Sequence, residues 1–242
     1  MIYRDNYKIG IEDIGKNSQA TNRAILSIME DIACAHSASV GYGVLEVETK
    51  HRAWLLLDWQ VKIFERPKYG SEIEALTWSR KMDRISAYRD YELKDKSGRV
   101  YAAGTSRWLL TDTQRRRPVR ITEDIAGLYG TEDICVFKED MYEPEISEDK
   151  LKEAKECVYH LQRRDIDINS HMHNINYLDA AYEVMPEDIY DSADFKEIRI
   201  LYKKEIKPED TVVCKCFEDE GRFFSVMLVE DKIHAVIVLG NG

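Results

Sequence analysis

The chain of 242 residues has few cysteines, few prolines, no excess of positive charge and no long hydrophobic run. Its five cysteines are scattered without a Cys-x-x-Cys pair, which argues against both a disulfide framework and a zinc site. No segment approaches the roughly 18 apolar residues of a membrane span. The net charge of −10 makes general binding to nucleic acid unfavourable. The first residues have neither a signal core nor a transit-peptide composition, so we expect a cytoplasmic protein.

The sequence does contain enough apolar residues, 44%, to form one large core or two smaller ones. A helix is predicted from about residue 18 to residue 41, with Ser18 or Asn17 as its cap. Apolar residues recur there three and four positions apart, at Ile25, Ile28, Met29 and Ile32. Strand patterns follow at residues 54–64, 71–78, 87–93 and 100–110. Residues 94–98, between the last two strands, have the composition of a hairpin turn.

The same order of elements then starts again. Residues 132–156 hold ten acidic residues and four lysines, a composition typical of a solvated connector, and residues 150–156 are predicted to be partly helical. A strand is predicted at 157–161 and a helix at 174–185. Four further strands are predicted at 196–206, 211–217, 223–230 and 233–239.

An internal repeat explains this restart. When the chain is shifted by 152 positions, seven of the twenty residues from Tyr7 to Leu26 match identically, against about one expected by chance. A second match, of Lys62 and Pro67 with Lys203 and Pro208, needs a different shift. We interpret the pattern as a tandem duplication with one insertion of changed length. The predicted parts are a first domain at 1–130, an acidic connector at 131–156 and a second domain at 157–242.

The most polar segment, Arg163–Tyr177, lies between the first strand and the helix of the second copy. In an extended chain its alternate polar residues share one face, and Ile166 and Ile168 point into the core. Those polar residues are Asp165, Asp167, Asn169 and His171. Carboxylate, amide and imidazole groups beside a helix N-terminus suit general acid–base chemistry and polarisation of a carbonyl.

The repeat separates structural from reactive candidates. At the positions of Asp167 and His171 the first copy has Gly15 and Gln19. The polar positions that both copies share are Asp13/Asp165 and Asn17/Asn169. A shared scaffold needs turn and cap residues twice, whereas a reaction needs its acid–base pair once. We therefore predict chemistry for Asp167 and His171, and a structural role for Asp165.

The segment Asp165–Tyr177 resembles the signature of the acyl–acyl-carrier-protein thioesterases of fatty-acid synthesis, Asp-x-Asp-x-Asn-x-His-x-Asn-Asn-x-x-Tyr. The opening strand, the first helix and the strands around Trp54–Pro67 and Thr105–Trp108 are similar to that family as well, so the resemblance spans nearly the whole chain. It implies an α+β tandem hotdog fold, in which each half is an antiparallel sheet wrapped around a long helix. This agrees with the duplication.

The resemblance also implies a catalytic set without a metal or a cofactor: Asp167, Asn169, His171 and Glu205. Glu205 is placed by the family's second catalytic stretch, which corresponds to residues 200–206 here. By the proline match, its counterpart in the first copy is Phe64. The sequence departs from the family pattern at two positions. Ile206 replaces a cysteine found in many plant relatives, which disfavours a Cys–His acyl-enzyme. His173 replaces the first Asn of the Asn-Asn pair. Without a plastid transit segment, the chain resembles a bacterial member.

The implied activity is hydrolysis of fatty acyl thioesters on acyl carrier protein. Either Glu205 or Asp167 acts as the base or holds the water, and Asp167 is also a candidate to orient His171 or to attack directly and form an anhydride. We expect Asn169, His171 and helix-start N–H groups to orient the water and polarise the carbonyl. The first copy is expected to wall the acyl pocket, with candidates Ile25, Ile28, Met29, Ile32, Trp54, Leu56 and Trp108.

The implied partner, acyl carrier protein, is acidic, so its docking on this acidic chain needs a local basic patch. Arg115–Arg117 with Arg120 is the clearest cluster, and Arg163–Arg164 and Lys203–Lys204 lie near the motif. No nucleic acid partner and no membrane span are expected. Because two hotdogs in one chain can satisfy the pairing that single hotdogs achieve by dimerising, the chain is expected to be a monomer or a homodimer.

The sequence leaves two alternative functions open. An enoyl-thioester hydratase of the same fold also uses Asp and His, but its usual Asp-x-Asn-Pro-x-His pattern does not fit Ser170 and the spacing of His171, and it gives Glu205 no role. A non-catalytic acyl-chain binding protein has no need for the polar set of the second copy.

Overall fold

The structure, a computed structural model, describes residues 1–241. The chain divides into two compact units between Asp140 and Met141, a boundary that falls within the predicted connector. Each unit is built from one antiparallel sheet and one principal helix.

The sheet of the first unit has the strand order β1-β3-β4-β5-β2, with the short strand β6 paired to β5. Its strands are β1 (Ile2–Lys8), β2 (Arg52–Ile63), β3 (Glu72–Met82), β4 (Ser86–Lys94), β5 (Val100–Asp112) and β6 (Arg117–Pro118). Its helices are α1 (Asn22–Ser39), α2 (Val47–Lys50) and α3 (Glu123–Tyr129). The predicted strands and the hairpin turn at 94–98 are therefore confirmed, with ends that differ by a few residues.

Helix α1 packs its apolar face on this sheet. Met29 is fully buried, and a Cβ atom added to Gly104 on β5 would lie 2.9 Å from the Met29 sulfur, so a larger residue at this position would displace the Met29 side chain. The N-cap of α1 is Thr21, whose hydroxyl accepts the Ala24 N–H at 3.1 Å. The predicted caps, Ser18 and Asn17, are wrong because both residues belong to the turn that precedes the helix.

The sheet of the second unit has the strand order β7-β9-β10-β11-β8. Its strands are β7 (Lys155–Tyr159), β8 (Glu197–Tyr202), β9 (Val212–Asp219), β10 (Arg222–Val229) and β11 (Lys232–Gly240). Its helices are α4 (Glu148–Glu153), α5 (Asn176–Glu183) and α6 (Glu187–Ser192). Helix α5 buries Leu178, Ala180 and Ala181 completely.

The two units repeat one topology. Strands β1, β2, β3, β4 and β5 correspond in order to β7, β8, β9, β10 and β11, and α1 corresponds to α5. The α+β architecture and the duplication predicted from the sequence are confirmed by this correspondence. Among residues 1–241, no helix has the length and the apolar character needed to cross a bilayer.

The segment predicted as a connector is mostly exposed, but part of it is hydrogen-bonded to strands of the first sheet. The indole N–H of Trp78 donates to the Ile134 carbonyl at 2.9 Å, and the Val136 N–H donates to the Asp90 carboxylate at 3.0 Å. The end of the segment forms α4, which confirms the predicted helical part near residues 150–156, and then the start of β7.

Candidate active site

The polar segment of the second unit forms a tight turn. The Asp167 N–H donates to the His171 carbonyl at 2.8 Å, and the Ser170 N–H donates to the Asp167 carbonyl at 3.1 Å. Ser170 closes the turn with a left-handed φ of 62°. The predicted extended face is therefore wrong, and Ile168, at 77% exposure, does not enter the core.

The first unit has the same turn, residue for residue. The Gly15 N–H donates to the Gln19 carbonyl at 2.9 Å, the Ser18 N–H donates to the Gly15 carbonyl at 3.0 Å, and Ser18 also has a φ of 62°. Because identical hydrogen bonds recur 152 residues apart, Gly15 and Gln19 are the structural counterparts of Asp167 and His171.

Asp165 anchors the base of the turn. Its buried carboxylate accepts the Gln162 N–H at 2.7 Å and the Tyr159 hydroxyl at 3.2 Å. Asp13 accepts the Gly10 N–H at 2.7 Å in the same way. A contact that is present in both copies is part of the shared scaffold.

The Asp167 carboxylate lies inside the turn that it begins. One oxygen accepts the backbone N–H groups of Asn169, at 2.8 Å, and of His171, at 3.2 Å. The other accepts the Asn169 side-chain amide at 3.2 Å. Asp167 thus fixes the exposed Asn169 side chain at the tip of the turn, a contact that Gly15 cannot make in the first unit.

Glu205 contacts the imidazole of His171. Their Oε2 and Nε2 atoms are 3.0 Å apart, with the histidine side chain 19% exposed and the glutamate 41% exposed. Glu205 therefore bonds the imidazole, whereas Asp167 bonds the backbone of the same histidine. The structure brings together the four predicted residues as two hydrogen-bonded pairs, His171–Glu205 and Asp167–Asn169.

The segment that carries Glu205 is tied to the turn. The Met172 N–H donates to the Ile206 carbonyl at 2.8 Å, just as the Ala20 N–H donates to the Pro67 carbonyl at 2.8 Å in the first unit. This pair of contacts makes Pro67 the counterpart of Ile206, and hence Arg66 the counterpart of Glu205.

The predicted counterpart of Glu205, Phe64, is therefore wrong. Aligning Pro67 with Pro208 shifted the comparison by two residues. The two prolines are identical residues, but the hydrogen bonds show that Pro67 corresponds in position to Ile206. Arg66 is a charged scaffold residue, not an apolar one: its guanidinium donates to the Ala20 carbonyl at 2.9 Å and to the Asn22 side chain at 2.7 Å.

The surroundings of the pair contain further polar groups. Tyr177 is buried, and its hydroxyl accepts the Ile206 N–H at 3.1 Å. Burial raises the pKa of this hydroxyl, and the negative charges of Glu205 and Asp167 raise it further. Ile206 is fully buried. Within residues 1–241, no group of three His, Cys, Asp or Glu side chains is arranged to hold a metal ion.

Sequence reasoning missed His234, whose ring Nδ1 lies 2.9 Å from the Glu205 carbonyl. It is distant in sequence from the motif, and no pattern pointed to it. Tyr177 had a usable signal, because the first copy has Ile25 at that position.

Comparison with known proteins identifies the family. A model of the acyl-ACP thioesterase N-terminal domain matches residues 1–129, and a model of the C-terminal domain matches residues 148–234. The chain belongs to the acyl-ACP thioesterase family. The turn and the Glu205 segment both lie in the part matched by the C-terminal model.

Among the curated relatives is oleoyl-acyl carrier protein thioesterase 1, chloroplastic, of Arabidopsis thaliana, which is 26% identical over 226 residues. That match covers 87% of this chain and 62% of the relative. A dodecanoyl-[acyl-carrier-protein] hydrolase of Cinnamomum camphora is 24% identical, over 85% of this chain and 56% of the relative. The chain thus spans about three-fifths of the length of these relatives.

Two solved acyl-ACP thioesterases share the fold. The 12:0-ACP thioesterase of Umbellularia californica gives a TM-score of 0.87 at 19% identity, covering 99% of this chain and 96% of that one. The acyl-ACP thioesterase of Bacteroides thetaiotaomicron gives 0.85 at 18% identity, covering 98% and 96%. The tandem hotdog fold predicted for the chain is therefore confirmed.

Proposed function

We propose that the chain hydrolyses fatty acyl thioesters carried on acyl carrier protein and releases the free fatty acid. The observation that carries this proposal is the His171–Glu205 pair at 3.0 Å beside the Asp167–Asn169 turn. The family membership supports the same reaction class. The proposed reaction consumes water and needs no cofactor.

In the proposed mechanism the imidazole of His171 donates its Nε2–H to Glu205, which leaves Nδ1 as the proton acceptor. A water molecule gives a proton to Nδ1 while its oxygen attacks the thioester carbonyl carbon. Collapse of the tetrahedral intermediate breaks the C–S bond, and the imidazolium returns the proton to the leaving thiolate. Glu205 stabilises the imidazolium between the two steps.

Asn169 and the backbone N–H groups at the start of α5 are the proposed donors to the developing oxyanion. Asp167 holds Asn169 in place through the contact at 3.2 Å. Three N–H groups already bond the Asp167 carboxylate, which makes it a weak nucleophile. We therefore favour attack by water over an anhydride intermediate.

The first test is release of free thiol and fatty acid from acyl carrier protein substrates of graded acyl length. Thiol release that peaks at one length is the expected result. Loss of enoyl absorbance without thiol release would instead indicate a hydratase. Tight acyl binding with no turnover would indicate a binding protein.

Acyl carrier protein is the proposed partner, docked on the basic cluster Arg115–Arg117 with Arg120. The exposure of these side chains supports the proposal, because a chain with a net charge of −10 needs a local positive surface to bind an acidic protein. Replacing Arg115 and Arg117 with Glu should raise KM for carrier-bound substrates about tenfold. Short soluble thioesters are the control, and an equal effect on both substrates would contradict docking at this site.

The cytoplasmic location remains a prediction, as does the choice between monomer and homodimer.

A further inference from the structure

The peptide group that joins Glu205 to Ile206 is held at both ends. Its N–H, which belongs to Ile206, donates to the Tyr177 hydroxyl at 3.1 Å. Its carbonyl, which belongs to Glu205, accepts from Nδ1 of His234 at 2.9 Å. Two side chains from α5 and β11 therefore fix the orientation of one peptide plane, and with it the direction in which the Glu205 side chain leaves the backbone.

The first unit has neither contact. Pro67, the counterpart of Ile206, has no N–H to donate, and the counterpart of Tyr177 is the apolar Ile25. Tyr101 takes the place of His234, since its carbonyl accepts the Phe64 N–H as the His234 carbonyl accepts the Lys203 N–H.

The hydroxyl of Tyr101 accepts from Arg99 instead, at 3.0 Å. A buried N–H needs an acceptor, so Tyr177 satisfies a requirement that exists only in the second copy. Both contacts occur in the copy that has Glu205, and neither occurs in the copy that has Arg66.

We propose that Tyr177 is a positioning residue for Glu205, with His234 as its partner on the opposite side of the peptide. Tyr177 lies six residues after His171 on the helix that follows the turn. Through the Ile206 N–H it couples that helix to the segment that carries Glu205, and it thereby holds the carboxylate 3.0 Å from the imidazole. The proposal rests on the proposed hydrolysis.

The direct test is Tyr177→Phe, which removes the hydroxyl and keeps the ring that packs edge-on to Tyr202 at 5.1 Å between centroids. We expect kcat to fall about ten- to a hundredfold with KM nearly unchanged, because a misplaced Glu205 affects the chemical step more than binding. The matched control is Tyr101→Phe, which removes a tyrosine hydroxyl in the first unit and should leave kcat unchanged. A kcat for Tyr177→Phe within twofold of wild type would overturn the proposal.

Repeating Tyr177→Phe in a variant that lacks the Ile206 N–H shows whether the loss of kcat depends on that hydrogen bond. Ile206→Pro removes that N–H and reproduces the residue that the first copy has at this position. In the Ile206→Pro protein, Tyr177→Phe should cost less than about a further twofold in kcat, because the contact is already gone. An equal loss in both backgrounds would mean that Tyr177 acts by another route.

Two measurements cover the case in which Tyr177→Phe does not fold. His234→Phe removes the other contact at a partly exposed site and should lower kcat about threefold or more. The ¹⁵N signal of His171 Nε2 should move in His234→Phe toward its position in Glu205→Gln. An unchanged kcat together with an unmoved signal would overturn the proposal. The signal does not depend on turnover, so failure of the wild type to release thiol would refute the function separately.

Discussion

The two turns of this chain have nearly the same backbone and different chemistry. In each, a carboxylate anchors the base, a serine with a φ of 62° closes the turn, and a backbone N–H two residues later bonds the segment after a strand. What differs is the side chains on this frame. The comparison teaches that the frame is stable without reactive groups, so the groups that appear only in the second turn are free to serve a reaction.

Charge makes the contrast clearest at one position. Glu205 in the second unit bonds the His171 imidazole, whereas Arg66 in the first unit bonds the Ala20 carbonyl and the Asn22 side chain. In the first unit the charged Arg66 side chain therefore has a structural role, since it bonds groups of the turn and the helix that follows it. The second leaves its carboxylate 41% exposed and paired with a group that can carry a proton.

A large effect, smaller than that of losing the His171 imidazole, is expected from Glu205→Gln. The amide keeps the shape and loses the charge that stabilises the imidazolium, so kcat should fall about a hundredfold. Arg66→Gln is the matched change in the first unit. It should leave kcat unchanged and lower the free energy of unfolding by about 1–2 kcal/mol, because charged hydrogen bonds are lost. Steady-state kinetics and urea denaturation measure kcat and the free energy of unfolding of both variants. Equal losses of kcat in the two variants would contradict the difference in role between Glu205 and Arg66.

A smaller effect concerns His36, a buried residue of the first unit. Burial and the neighbouring Arg89 guanidinium lower the pKa of His36 to about 3. In the unfolded chain the His36 imidazole takes up a proton as the pH falls below about 6.5. In the folded chain it stays neutral until the pH is near 3. Because the unfolded chain binds this proton more readily, the free energy of unfolding is unaffected by His36 above pH 6.5. It decreases by about 1.4 kcal/mol per pH unit as the pH falls from 6.5 toward 3.

His36→Gln should remove this part of the acid sensitivity. Unfolding free energies of the wild type and the variant, compared between pH 7 and pH 5, isolate the contribution from that of the carboxylates. Parallel pH profiles for the two proteins would show that His36 is not held neutral in the fold.

The sequence predicted the main elements, and it singled out Asp167 and His171 as candidates, for physical reasons. Alternation and helical spacing follow from burial, so the main strands and the helices α1 and α5 were located to within a few residues, whereas the short elements α2, α3, α6 and β6 were not predicted. The contrasts of Asp167 with Gly15 and of His171 with Gln19 were visible because the turn itself has no insertion or deletion between the copies.

Other features depend on geometry that spacing does not encode. The left-handed Ser170 breaks the alternation, so Ile168 faces solvent rather than the core. The counterpart of Glu205 was misplaced because two prolines, Pro67 and Pro208, occupy different positions relative to their strands. His234 approaches Glu205 only through strand pairing, since β8 and β11 are neighbours in the sheet.

The central claim is that the reactive groups, those of the turn and Glu205, lie in the second unit alone. The most direct measurement is kcat for thiol release by His171→Ala and by Gln19→Ala, which change the same position in the two copies. We predict a loss of about 10²- to 10⁴-fold for His171→Ala and wild-type kcat for Gln19→Ala. Retained activity in His171→Ala, or an equal loss in both variants, would contradict the claim.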